Sequence, residues 1–204
     1  MILFTAPLDF DYEVVCGYEA LGRVFWGDND VYLREKRVEI WVCDPSAHFT
    51  IDDAALARLP NLWLLATPST GTNHIALDAC ERRGIKVLSL LDDREGLETI
   101  SASAEFTFKL LLDALRKPPA RELQGKTVGI VGYGRNGRKI ADWCDVFSAP
   151  CRFYDPYAAR KAITNHYQYQ HLADIFKHSD AIIVTCTLNV ATRGMITADL
   201  LRSM

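Results

Sequence analysis

The sequence has no apolar run of the roughly 18–20 residues that a membrane-crossing helix requires. It has no C-x-x-C pair, although six cysteines are spread along it, and it has no internal repeat or low-complexity tract. An excess of positive charge is missing too: 23 Lys and Arg against 26 Asp and Glu leave a formal net charge of −3 over 204 residues. Each absence excludes a class of function. A membrane-crossing helix is excluded by the first, and a disulfide framework or zinc site is disfavoured by the second. The charge balance argues against a general nucleic-acid binder, which needs a basic face to displace phosphate counterions. Met1–Leu8 is apolar but has no basic flank and meets Asp9 and Asp11 almost at once, so no signal peptide is expected and the default location is cytoplasmic. Cys16, Cys43, Cys80, Cys144, Cys151 and Cys186 sit mostly in apolar runs such as Ile40–Cys43, which makes them small buried hydrophobes in a reducing compartment.

What is present is an alternation of short apolar strands and helical patterns. Ile2–Ala6, Val24–Trp26, Val38–Cys43, Leu62–Ala66 and Lys86–Leu90 read as strands. Between them, Thr50-Ile-Asp-Asp53 has the form of a capping box opening a helix through Leu59. Asn73–Arg83 reads as a second helix, stopped by Gly84. Such alternation implies a parallel sheet covered by helices on both faces.

Ser101–Arg116 is the longest helical pattern, with Ala104, Phe108, Leu111, Leu112 and Leu115 on one face; Phe106 and Leu110 broaden it, which predicts extensive burial. Lys117-Pro118-Pro119 ends it. Domains of residues 1–98 and 123–204 are expected, joined through a connector helix and hinge at 99–122. In the second, Thr127–Val131 and Cys151–Tyr154 are strands flanking a helix over Arg135–Phe147, His171–His178 is a helix, Ala181–Cys186 is a strongly apolar strand, and Thr197–Met204 begins another helix.

Gly132-Tyr133-Gly134-Arg135-Asn136-Gly137 is a G-x-G-x-x-G. The hexapeptide alone also suits an ordinary turn. Here it follows an apolar strand and opens an amphipathic helix, and Asp155 ends the next strand 18 residues past Gly137. That context favours dinucleotide binding: Gly132 permits the tight turn, Gly134 admits a pyrophosphate to the backbone, and Gly137 lets helix and strand pack closely. The phosphates would sit on the free N–H groups at the helix start. A carboxylate at 155 accepts from ribose hydroxyls and repels a 2′-phosphate, so NAD is favoured over NADP. Arg160 and Lys161 lie nearby and are read as solvated surface charge.

At this point the sequence resembles the D-isomer-specific 2-hydroxyacid dehydrogenases, which include phosphoglycerate dehydrogenases and glyoxylate/hydroxypyruvate reductases. The resemblance runs from about Asn61 to Met204, and more loosely over the N-terminal part. It rests on Ser69-Thr-Gly-Thr-Asn-His-Ile-Ala-Leu77, Ala104-Glu105, Gly125-Lys-Thr-Val-Gly-Ile-Val-Gly-Tyr-Gly134, Tyr154-Asp-Pro156, Ser179-Asp180 and Leu188 through Thr192-Arg-Gly-Met-Ile196. It implies a flavodoxin-like substrate domain followed by part of a Rossmann domain, with hydride exchanged between NAD(H) and a small 2-hydroxy or 2-oxo acid. It places Thr70 and Gly71 in the loop that holds the acid's carboxylate. Ser103 falls near the nicotinamide end, and Thr185-Cys186-Thr187 falls on the adenosine side, where relatives commonly carry a His and a Pro. With Gly132, Gly134, Arg135, Asn136, Gly137 and Asp155, these complete the expected cofactor contacts.

The family's Arg, Glu and His of catalysis lie downstream of the segment ending at Met204, and no residue here matches them. His74, beside the carboxylate loop, is read as a surface histidine at a helix start; His48, His166, His171 and His178 match no motif. The chain is therefore expected to be a truncated form inactive alone, with an NAD-binding pseudoenzyme or interaction module as the alternative. The link from Arg116 to Gly125 is short where many relatives carry a dimer-forming insertion. The strand Ala181–Cys186 is expected at an open sheet edge, for a homodimer contact or another partner to cover.

Overall fold

The computed structural model describes residues 1–5, 12–27, 35–43, 45, 50–158 and 167–204. The chain divides into two compact units, Met1–Leu97 and Glu98–Met204.

In the first unit, strands β1 (Ile2–Phe4), β2 (Val24–Trp26), β3 (Ile40–Val42), β4 (Leu64–Ala66) and β5 (Lys86–Leu88) form one sheet in the order β2-β1-β3-β4-β5. All its ladders are parallel. This is the flavodoxin-like order. Because side chains alternate along a strand, the register that sets Leu3 opposite Trp41 and Trp41 opposite Leu65 gathers these large residues on one face. There they meet Leu56, Leu59, Ala79 and Cys80. Ile2, Phe4 and Val42 fill the other face with Tyr18, which belongs to α1 (Tyr12–Leu21). Burying the Trp41 indole would strand its N–H, and Thr5 Oγ1 accepts it at 3.0 Å.

Helix α2 (Asp53–Ala57) starts two residues later than a capping box on Thr50 implies: Asp52 is the cap, and its carboxylate accepts from the Ala55 N–H at 2.8 Å. Helix α3 occupies only Leu77–Arg82 of the expected Asn73–Arg83. The backbone before it is committed elsewhere: the Ile51 N–H donates to the His74 carbonyl at 2.7 Å, and the Ala76 N–H to the Ile51 carbonyl at 2.9 Å. Gly84 stops α3 as predicted, with φ +68°, the Ile85 N–H reaching back to the Cys80 carbonyl and the Gly84 N–H to that of Glu81. Helix α4 (Arg94–Thr99) follows.

The second unit opens with α5 (Ala102–Arg116), followed by β6 (Val128–Val131), α6 (Arg135–Val146), β7 (Cys151–Tyr154), β8 (Tyr167–Tyr169), α7 (Leu172–His178), β9 (Ala181–Val184) and α8 (Ala198–Arg202). Its sheet runs β8-β7-β6-β9, parallel throughout. That is one half of the Rossmann order together with the strand beyond its reversal. Val128 and Ile130 face Ala104, Leu111 and Leu115 of α5 and Ile140, Ala141 and Cys144 of α6. Val131 faces Ile175 and Phe176 of α7. The α5 stripe is narrower than its pattern predicts: Phe106 and Leu110 are 61% and 48% exposed. Cys43, Cys80, Cys144 and Cys151 are buried, whereas Cys16 and Cys186 are half-buried. Cys151 Sγ donates to the Ala149 carbonyl at 3.7 Å, and the neighbouring Cys144 thiol together with burial pushes the Cys151 thiol up. Ala6, His48, Arg160, Lys161 and His166 lie outside the described residues.

Candidate functional site

The order reversal in the second sheet lies between β6 and β9, and open α/β sheets take their ligands outside the carboxyl ends of the strands at such a point. The glycine motif stands there. Gly132, at the end of β6, has φ +98°, and a Cβ on it would lie 2.5 Å from the Cys186 nitrogen and 2.7 Å from its Cα, backbone atoms that cannot yield. Gly137, in the first turn of α6, packs so tightly that a Cβ would overlap the Gly132 carbonyl oxygen. Gly134 is different, with no heavy atom within 4 Å of where its Cβ would stand. It is the N-cap of α6, so the N–H groups beside it lack carbonyl partners within the helix.

Gly132, Gly134, Asp155, Thr185, Cys186 and Thr187 line one cavity of about 320 Å³. Asp155 sits at its rim with both carboxylate oxygens engaged: Oδ2 accepts from the Tyr133 N–H at 2.9 Å, and Oδ1 from those of Tyr157 at 2.8 Å and Ala158 at 3.2 Å. A carboxylate offers about four acceptor positions, so room for a further donor remains. Thr185 Oγ1 donates to the Gly132 carbonyl at 2.7 Å, clamping the glycine turn to the end of β9. Beneath the loop, Tyr133 stacks on Phe153 with ring centroids 4.1 Å apart. Burial first, then the Asp142 charge, pushes the Tyr133 phenol up to about 12.

Not every expected contact gathers there. The Arg135 guanidinium donates to the Ile100 carbonyl, and Lys139 Nζ to the carbonyls of Glu98 and Ile100 and to Ser101 Oγ. Arg135, Asn136, Gly137 and Ser103 are not among the residues lining the cavity. Ser103 is exposed on α5, its carbonyl accepting from Thr107 Oγ1 at 2.7 Å. Asn136 Oδ1 is a buried acceptor without a hydrogen-bond partner among the described residues. Conversely, the cavity wall includes Tyr157, and also Tyr154, Pro156, Asn189, Ala191, Thr192 and Met195, which lie in matching stretches but were not assigned to the site. The signal of the turn at 189–195 is local: Asn189 Oδ1 accepts from the Ala191 and Thr192 N–H groups, and Thr192 Oγ1 donates to the Thr187 carbonyl at 2.7 Å.

In the first unit, Gly71 lines a smaller cavity of about 250 Å³ with Pro45, Thr50, Ser69, Asn73 and His74. Thr70 is exposed and not among its lining residues. Among the described residues nothing accepts from the N–H groups of Thr70 or Gly71, which leaves two donors for an anion. His74 is not a surface residue: it is 8% exposed, with Nε2 3.3 Å from Thr67 Oγ1 and 3.7 Å from Cys43 Sγ. The reason is the Ile51 bridge, which draws residues 74–76 under the loop instead of into α3.

A parallel sheet with a glycine turn and helix start at its order reversal defines a dinucleotide-binding α/β unit. Residues 100–204 match the sequence profile of the D-isomer specific 2-hydroxyacid dehydrogenase NAD binding domain, and residues 32–94 match that family's catalytic domain. The chain belongs to the D-isomer-specific 2-hydroxyacid dehydrogenase family. It is 30% identical over 165 residues to a D-3-phosphoglycerate dehydrogenase of Mycobacterium tuberculosis, covering 72% of this chain and 30% of that one. It is 27% identical over 192 residues to a glyoxylate/hydroxypyruvate reductase A of Arabidopsis thaliana, covering 84% and 59%. Thus the chain spans less than two thirds of either relative's length. The crystal structure of a phosphoglycerate oxidoreductase from Vibrio cholerae superposes with a TM-score of 0.77 at 29% identity, over 100% of this chain and 71% of that one. The fold is shared with an NAD-dependent formate dehydrogenase from Staphylococcus aureus, TM-score 0.80 at 22% identity, over 100% and 70%. No helix among the described residues is long and apolar enough to cross a membrane.

Proposed function

We propose that this chain serves an NAD-dependent oxidoreductase that moves a hydride between NAD(H) and a small 2-hydroxy or 2-oxo acid, the second unit holding the cofactor and the first the acid's carboxylate. The observation that carries the reading is the contrast among the three glycines: two are filled in by protein, and the third opens on the cavity that Asp155 rims. The residues fit the cofactor. Gly134 leaves the pyrophosphate room to reach the backbone, and the first-turn N–H groups of α6 at Arg135, Asn136 and Gly137 face its negative charge with the positive end of the helix dipole. The Arg135 side chain takes no part, being held at Ile100.

Asp155 receives the ribose hydroxyls on its remaining acceptor position and repels a 2′-phosphate, which sets NAD above NADP. Thr185, Cys186 and Thr187 form the wall for the adenosine side, and Ser103 stands toward the nicotinamide end. When bound, the nicotinamide supplies the hydride chemistry. In the first unit, the Thr70 and Gly71 N–H groups hold the substrate carboxylate.

Calorimetric titration of the chain with NAD, and with NADP as control, tests this. NAD is expected to bind in preference, and Gly134→Val to abolish binding while the protein stays folded. Equal affinity for NADP would remove the role given to Asp155. Unchanged NAD affinity in Gly134→Val would place the phosphates elsewhere.

A further inference from the structure

Beneath the carboxylate loop runs a chain of hydrogen bonds whose direction can be deduced. Ser69 Oγ donates its one proton to the Gly71 carbonyl at 2.7 Å. Toward Thr67 Oγ1, 3.0 Å away, it can therefore only accept. Thr67 in turn spends its proton on Ser69, so toward His74 Nε2, at 3.3 Å, Thr67 is the acceptor. The chain closes only if His74 carries a proton on Nε2, and Cys43 Sγ lies 3.7 Å from the same nitrogen. Three polar side chains are thereby ordered in one sense, from His74 to Gly71.

The far end of this chain acts on the loop's geometry. In a trans peptide the N–H points opposite the C=O of the same plane. Holding the Gly71 carbonyl fixes the Thr72 N–H, while the Leu90 N–H, donating to the Ser69 carbonyl at 3.0 Å, fixes the Thr70 N–H. The Thr70–Gly71 peptide is thus suspended between two anchored peptide planes. One is held by the sheet side through Leu90, and the other by the relay.

We propose that His74 is a positioning residue for substrate: through Thr67 and Ser69 its Nε2–H holds the Gly71–Thr72 peptide plane, and with it the shape of the loop whose N–H groups meet a carboxylate. This rests on the reading of Thr70-Gly71 as the carboxylate loop. The role given to His74 is exerted through Thr67 and Ser69 and not by contact with the acid. Neither a metal nor a covalent step is involved; the device is a preorganised anion site whose orientation is carried by hydroxyls.

The test uses the full chain, labelled with 15N and titrated with glyoxylate while the Thr70, Gly71 and Thr72 amide resonances are followed. In the wild type these amides are expected to shift on titration, and His74 to show a one-bond 15N–1H coupling at Nε2. His74→Phe, which keeps the ring volume but removes the donor, is expected to weaken glyoxylate binding roughly five- to tenfold, the loss of about one hydrogen bond's worth of ordering. His74→Gln, whose amide can donate near the same point, is expected to recover most of it. NAD affinity should be the same in all three. Because His74→Phe also risks the fold, Thr67→Val breaks the relay at its next member and is expected to reproduce the loss. Wild-type amides that ignore glyoxylate would overturn the carboxylate loop and the relay together. Amides that shift equally in wild type, His74→Phe and Thr67→Val would overturn the relay alone, as would a His74 with its only proton on Nδ1.

Discussion

Asp155 holds Tyr133: its Oδ2 accepts the N–H of the residue between the first two glycines of the motif at 2.9 Å. The carboxylate proposed to select the cofactor is also the pin that fixes the turn receiving it. Asp155→Ala removes acceptors from three N–H groups, those of Tyr133, Tyr157 and Ala158. It is expected to lower stability by about 2 kcal/mol, seen as a reduced urea midpoint. NAD affinity should fall at least about tenfold and its margin over NADP should narrow. A variant as stable as wild type would show that the pin is dispensable.

The glycines separate fold from ligand. Gly132→Ala forces a side chain into a left-handed conformation against the Cys186 backbone and is expected to cost about 3 kcal/mol. Gly137→Ala meets the Gly132 carbonyl, for about 2 kcal/mol. A Cβ at Gly134 would meet nothing within 4 Å, so Gly134→Val should cost no more than about 1 kcal/mol, the loss of a good N-cap residue. Thermal unfolding of the three variants checks the order; a strongly destabilised Gly134→Val would contradict the open space at that position.

Thr185 occupies a position where the resemblance leads one to expect other side chains, and its hydroxyl has a defined task on the Gly132 carbonyl. Thr185→Val keeps the shape and deletes the bond, for an expected loss of about 1 kcal/mol together with weaker NAD binding. Thr185→Ser should restore both. Chemical denaturation and calorimetry on the pair distinguish a lost hydroxyl from altered packing, which the serine would not repair.

Tyr133 gives the chain an alkaline signature. An unfolded tyrosine releases its proton near 10, whereas this one holds it to about 12. Between those values the unfolded state binds fewer protons than the folded one, so stability falls as pH rises. Denaturant midpoints are expected to drop over that window in wild type and to drop less in Tyr133→Phe. Ultraviolet titration should show one tyrosine ionising late in the folded protein and not in the variant.

Much of this architecture could be read from residue patterns because parallel strands buried on both faces are nearly continuous apolar runs; Val128–Val131 and Ile40–Val42 are of this kind. Where the pattern was thin, elements went unread. Helix α1 carries Gly17 in its middle, α4 buries only Leu97, and β8 is three residues in a polar stretch. The glycine motif was legible as chemistry, since spacing and context are local. The surroundings of His74 were not. Its burial comes from Thr67, Cys43 and the Ile51 bridge, contacts set by how the strands lie side by side. Likewise the Arg135 side chain, next to the motif in sequence, turns away to Ile100 for reasons that lie in α5's approach.

The clamp between Thr185 and Gly132 joins residues 53 positions apart, and the ladder beside it pairs Val128 with Ala181. Parallel pairing across so long a loop is entropically slow to form. The glycine turn, already pinned by Asp155, therefore receives its second clamp only once β9 has docked. A nucleotide added to the refolding chain should leave the early, helix-forming phases untouched and act on the final one, slowing its reversal more than it speeds its arrival.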